Sequence, residues 1–88
     1  MSKLDKFTNS TYRVLAYMYD KKLNNNLVVA TQGEMAKDLD MSRPTVNRIV
    51  NELCKDGYID PDGPHFGRYI ITEKTISFIK TLRSVDKT

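Results

Sequence analysis

Between Thr31 and Leu53 the chain reads TQGEMAKDLDMSRPTVNRIVNEL, two amphipathic helices with almost nothing between them. Thr31 and Glu34 stand at capping-box spacing, so the threonine hydroxyl can accept from a free first-turn amide while the glutamate reaches back. Met35, Ala36 and Leu39 supply the inner face of this helix. Asp40 and Met41 are left for the turn, and aspartate enters the left-handed backbone region at tolerable cost. Ser42 caps the following helix, with Pro44 in its first turn, where a missing N–H costs little. Gly57 stops it, because glycine adopts positive φ freely. A turn this short fixes the angle between two helices, and that restricts the fold more than any other feature of the chain.

The flanking segments are read by the same rules. Asn9, Ser10 and Thr11 are candidate caps for a helix over STYRVLAYMYDKKL, in which Tyr12, Leu15, Ala16, Tyr19 and Leu23 recur at helical spacing. Asn24 to Asn26 end that helix, since asparagine suits turns. LVVA, from Leu27, is a short β-branched strand that runs straight into Thr31. YID and RYIIT are two further strands, and PDGPHFG between them makes an extended hairpin tip. EKTISFIKTLRSV returns to helical spacing with Ile76, Ile79 and Leu82 on one side, and DKT is a frayed end. At 88 residues the chain holds one domain, expected to span 1–88. Within it the helix pair covers 31–56, the hairpin 58–72 and the last helix 73–85. The fold class is α+β and mostly helical.

On a helical wheel the segment after Ser42 separates cleanly. Val46, Ile49, Val50 and Leu53 fall in one arc, the core face. Pro44, Arg48, Asn51 and Lys55 fall nearly opposite, and Arg43, Thr45 and Asn47 lie between the faces or at the N-terminal end. The outward surface lacks carboxylates until Glu52. Arginine and asparagine carry the paired donors and acceptors that match guanine and adenine edges in the major groove. The helix N-terminus adds free N–H groups suited to phosphate. A merely solvated polar face is the competing reading. The short turn in front favours the first, because it makes this the second helix of a helix-turn-helix.

A resemblance extends that reading. SRPTVNRIVNELCKDGYI, Ser42 to Ile59, resembles the second helix and first wing strand of winged helix-turn-helix regulators, especially the MarR-like and GntR-like groups. Gln32, Ala36, Val46 and Ile49 also fall where such proteins place a polar start, a small residue and two core residues. The likeness holds at motif grade from 31 to 59, and in element order over roughly 27 to 83. Two departures stand out: Asp40 occupies a turn position where glycine is usual, and the wing opens with Asp60 and Asp62 and offers only His65 and Arg68 as donors. LNNNLVVATQGEMAKDLDMSRPTVNRIVNEL is also similar to the winged-helix part of replication initiators of Gram-positive plasmids. Both resemblances imply a winged-helix fold and double-stranded DNA as partner. The expected roles are base contacts from Arg43, Thr45, Asn47, Arg48 and Asn51, with Pro44 on the same surface. Ser42, Lys55 and Arg68 would hold phosphates, and His65 is either an incidental solvent-exposed loop histidine, the favoured reading of that residue alone, or a contact to the backbone or minor groove. They differ about purpose: transcription regulation in the first, replication or partition in the second.

Other classes are poorly served. A single histidine, a single cysteine (Cys54) and no glycine-rich phosphate loop leave no catalytic or metal constellation, so neither enzyme activity nor a cofactor is expected. No stretch approaches the ~20 apolar residues of a membrane span, nor is there a leader-like run at the start, which leaves a cytoplasmic protein as the expectation. The net charge of +3 permits an anionic partner without demanding one. Tyr12, Tyr17, Met18 and Tyr19 near one end, and Ile76, Phe78, Ile79 and Leu82 near the other, either complete the core of their own subunit, the favoured reading for the first group, or offer surface for a homodimer, the favoured reading for the second. The rival of another class is a winged helix that docks protein. It gains if Asp38 or Glu52 ties up the arginines, and DNA binding gains if they are left free.

Overall fold

The computed structural model describes residues 9–63 and 67–86. Its elements are α1 (Asn9–Lys21), β1 (Leu27–Val29), α2 (Gln32–Leu39), α3 (Arg43–Lys55), β2 (Ile59–Pro61), β3 (Arg68–Ile71) and α4 (Glu73–Asp86). Four helices and a small antiparallel sheet in this order form the winged-helix architecture that the sequence implies.

The caps are where the residue types put them. Thr31 is extended and its side chain accepts from the Glu34 amide, while Glu34 returns to the Thr31 backbone, completing the capping box. Asp40 takes up the left-handed conformation at φ 55°, and the Met41 amide donates to the Ala36 carbonyl at 2.9 Å, closing the turn. Ser42 accepts from the Thr45 amide at 3.2 Å, with Pro44 in the first turn of α3. Gly57, at φ 82°, ends the chain's run past Asp56 and turns it into β2.

The sheet order is β1-β3-β2, both pairings antiparallel. Ile59 pairs with Ile71 and Pro61 with Tyr69 in the wing, while Leu27 pairs with Ile70 and Val29 with Arg68 on the other side of β3. β1 therefore ties the wing back to the start of α2. Gly67 makes the closest approach: its φ is 77°, and an added Cβ would lie 3.3 Å from the Thr31 Cα. Its carbonyl accepts from the Ala30 amide at 2.8 Å. A side chain there would push the wing off the N-terminus of α2.

The core gathers one face from each helix. Val46, Ile49, Val50 and Leu53 of α3 are all at most 2 % exposed and meet Met35, Ala36, Ile59, Ile71 and Ile79. On α1 the buried face differs from the expected stripe. Val14, Leu15 and Met18 are fully enclosed, whereas Tyr12, Ala16 and Tyr19 are half-buried at its margin and Leu23, beyond the helix, is 55 % exposed. The reason lies in the phenol hydroxyls, which keep a tyrosine at the edge where its ring can pack and its oxygen stay polar. Tyr19 does this with Lys22 and Arg83 cations near its ring, at 5.2 and 5.0 Å. Asn9, Ser10 and Thr11 lie inside α1 rather than capping it.

On α4, Ile79 is fully buried, while Ile76 and Phe78 pack against the core half-buried. Phe78, one of the side chains expected at a subunit contact, is thus taken up in part by the core of its own chain. Thr75 is wholly enclosed, its hydroxyl donating to the Tyr58 carbonyl at 2.6 Å, and Thr72 donates to Gly57 and Tyr58 carbonyls. These bonds fasten the start of α4 to the bend between α3 and β2. Asp86, expected in a frayed end, still belongs to α4.

Candidate nucleic-acid interface

α3 is held so that its two faces serve different tasks. With Val46, Ile49, Val50 and Leu53 turned inward, Arg43, Pro44, Asn47, Arg48, Asn51, Glu52 and Lys55 are exposed, and Thr45 is half-buried. α2 braces it from one side, and α1 in turn braces α2. The Arg13 guanidinium donates to the Leu39 carbonyl at 2.6 Å, satisfying an end carbonyl of α2. The Tyr17 hydroxyl donates to the Asp38 carboxylate at 2.5 Å. Burial and that hydrogen bond beside a negative charge push the Tyr17 phenol up to about 12. Asp38, one of the two acids that could have engaged the α3 arginines, is instead turned toward α1.

The other acid does engage one. Arg48 Nη1 and Glu52 Oε1 are 2.8 Å apart, one helical turn from each other, with side chains 60 % and 50 % exposed. An exposed pair at this spacing contributes only about 0.3–0.5 kcal/mol, so it yields readily to a phosphate or a guanine edge. Arg43 has no ion-pair partner among the described residues; its guanidinium lies over Gly33 at the first turn of α2, where a Cβ on Gly33 would sit 3.8 Å from Cζ. A small residue at 33 leaves room for that placement.

The remaining polar residues form short local networks. Ser42 donates to the Thr45 hydroxyl at 2.8 Å besides capping α3. Asn51 Nδ2 donates to Asn47 Oδ1 at 3.2 Å, and Asn47 Nδ2 donates to Gln32 Oε1 at 3.0 Å. Gln32 was not among the residues singled out for contact. Its part depends on the angle between α2 and α3, and its only sequence signal was a polar residue opening the first helix of the pair. Lys55 lies in the last turn of α3, away from the Ser42 end.

The wing is less available. Arg68 Nε pairs with Asp62 Oδ2 at 3.0 Å, with side chains 42 % and 35 % exposed. Asp60 of β2, opposite Ile70, is exposed. His65 lies outside the described residues. Thr31, capping α2, is in contact with Gly67 at the entrance to β3, so wing and helix pair meet on one side of the molecule. Among the described residues no group of three or more His, Cys, Asp or Glu could hold a metal ion. None of the described helices is long and apolar enough to cross a membrane.

This arrangement of braced helix pair, strand and wing has a counterpart among known families. The family model for the MarR family matches residues 6–68, well over half of the chain. The chain belongs to the MarR family. Its members are DNA-binding transcription regulators, and the match runs from ahead of α1 to the first residue of β3, taking in the helix pair entire. No curated protein matches the chain at a significant level. For this MarR-family chain the helix corresponding to the second of the pair is α3, whose outward surface is the one described above.

Proposed function

We propose that this chain binds double-stranded DNA in a sequence-specific manner, with α3 in the major groove, and regulates transcription. The observation that carries the reading is the division of α3: an apolar side enclosed in the core, and an opposite side offering Arg43, Arg48 and two asparagine amides to solvent. Arg43, Thr45, Asn47, Arg48 and Asn51 face the base edges, with Pro44 on the same surface. Ser42, Lys55 and Arg68 meet phosphates, Arg68 after exchanging Asp62 for one, and His65 meets the backbone or the minor groove. The activity is binding without chemistry, and it needs no cofactor. The chain acts as one domain, in the cytoplasm.

A domain this small offers few phosphate contacts, each adding roughly one unit to the salt slope. Two copies on half-sites about one helical turn apart overcome that, so the working form is a homodimer on a near-palindromic site. The half-buried tyrosines of α1 and Leu82 of α4 supply surface for the pairing. A role at a replication or partition locus uses the same contacts and differs only in where the site lies.

The docking alternative draws on two observations, the Arg48–Glu52 and Arg68–Asp62 pairs. Both are exposed enough to be weak, and Arg43 is outside them. The deciding experiment is a titration of random-sequence and selected duplexes at low ionic strength, followed by fluorescence anisotropy. The expected result is salt-sensitive binding to all duplexes and much tighter binding to the selected one. Absence of binding to every duplex would hand the surface to a protein partner.

A further inference from the structure

Gln32, Asn47 and Asn51 form a chain of side-chain amides from the first turn of α2 to the third turn of α3. Asn47 is engaged at both ends, its nitrogen donating to Gln32 Oε1 at 3.0 Å and its oxygen accepting from Asn51 Nδ2 at 3.2 Å. Such a chain has a direction. A side-chain amide has a donor end and an acceptor end, and each link must join unlike ends. Because Gln32 offers its oxygen, Asn47 points its nitrogen toward α2 and its oxygen along α3. Asn51 must then turn a nitrogen back toward Asn47.

The far end of the chain is therefore defined. Asn51 is exposed, one helical turn beyond Asn47 on the same face. Its carbonyl oxygen and its second N–H have no partner among the described residues. A carbonyl and an N–H side by side are what the major-groove edge of adenine requires, since N6 donates and N7 accepts. A lone exposed asparagine could present its amide either way round, and only one way fits. With Gln32 presenting its oxygen, the bond to Asn47 holds one orientation before any base is met.

We propose that Asn51 reads an adenine in each half-site, and that Gln32 and Asn47 are positioning residues that set its amide. This rests on the reading of α3 as the groove-facing helix. It gives Asn47, counted above with Asn51 among the groove-facing side chains, a positioning task in place of a base contact of its own. It also gives α2 a part in specificity, through a residue that need touch no base.

The test is selection of duplexes from a random pool by the full chain and by Asn51→Ala, Asn47→Ala, Gln32→Ala, Gln32→Glu and Gln32→Lys, with thermal melting of each protein. In the parent chain, replacing the adenine should weaken binding by a factor of about 10–100, the worth of one bidentate pair. Asn51→Ala should lose that preference and no other. Asn47→Ala and Gln32→Ala should weaken the preference at the same position with melting unchanged. Gln32→Glu keeps an acceptor for Asn47 and should keep the adenine. Gln32→Lys offers only donors, so it should lose the adenine even as its charge tightens binding to every duplex. A purely structural Gln32 would move melting and leave the base preference alone. An unaltered set of selected sites for Asn51→Ala overturns the proposal, as does a Gln32→Lys chain that still selects the adenine. Failure of the parent chain to bind any duplex overturns the underlying reading, and this inference with it.

Discussion

The outward face of α3 and the wing hang from the same frame, yet they treat their polar side chains differently. On α3 the contacts run along the surface: amide to amide, hydroxyl to hydroxyl, and one loose ion pair, with Arg43 outside all of them. In the wing Arg68 is paired with Asp62, and β2 carries a further exposed carboxylate, Asp60. The helix thus presents directional groups that can exchange partners at small cost, while the wing presents a nearly neutralised edge. On the proposed reading, the contrast places most of the recognition on one element. The wing's contribution is positional, through Gly67 against Thr31 and through β3 between β1 and β2.

The largest effect should come from the side of α3 that the comparison takes for granted. Ile49 is fully enclosed, and Ile49→Ala should lower stability by about 2–5 kcal/mol in denaturant unfolding. A loss well below 1 kcal/mol would mean that the helix is not anchored by that face. Next comes the contrast itself. Arg48→Ala should weaken specific binding by about 1–3 kcal/mol and relax one base position, read by competition against single-base variants of the selected site. Arg68→Ala should weaken all duplexes alike and by less than about 1 kcal/mol, as befits a screened phosphate contact. Equal, sequence-independent losses from both would erase the distinction between helix and wing.

Asp62→Asn sharpens the comparison from the other side. It removes a wing charge and releases Arg68, so binding should tighten at low salt and the salt slope should steepen by about one unit. An unchanged slope would show that the wing stays clear of the backbone. The smallest effect concerns the brace behind α3. The Tyr17 phenol ionises at 10.0 in the unfolded chain and at about 12 when folded, so its neutral form is favoured by folding. That contribution is complete below pH 10 and is lost as pH rises toward 12. Tyr17→Phe should remove this part of the alkaline destabilisation, and a parallel alkaline profile for the variant would contradict the assignment.

Much of the frame was legible because it obeys local rules. Capping-box spacing located Thr31 and Glu34, Ser42 with Pro44 located the start of α3, and Asp40 showed itself as the left-handed turn residue. The 3.6-residue period of Val46, Ile49, Val50 and Leu53 named the core face without error. The same period failed on α1, because a count of apolar positions ranks tyrosines with valine and methionine although their hydroxyls hold them at the margin. Phe78 shows a different limit: how much of a side chain its own core takes up depends on how α4 crosses that core, and no local pattern encodes that. At the interface, Arg48 and Glu52 sit one turn apart and their pairing was within reach. The bond from Asn47 to Gln32 depends on an interhelical angle, and that from Arg68 to Asp62 on how the hairpin folds back. The exposed polar face of α3 was therefore legible by residue type and spacing, while the partners of its side chains became visible only in three dimensions.

The central claim, that α3 enters the major groove and makes base contacts there, is tested most directly by methylation interference on a selected duplex. A methyl group on guanine N7 projects into the major groove, whereas one on adenine N3 projects into the minor groove. The account predicts that N7 methylation within each half-site blocks binding, and that Arg48→Ala becomes indifferent to one of those guanines. Binding that tolerates every N7 methyl group and is blocked only by N3 methylation would contradict it.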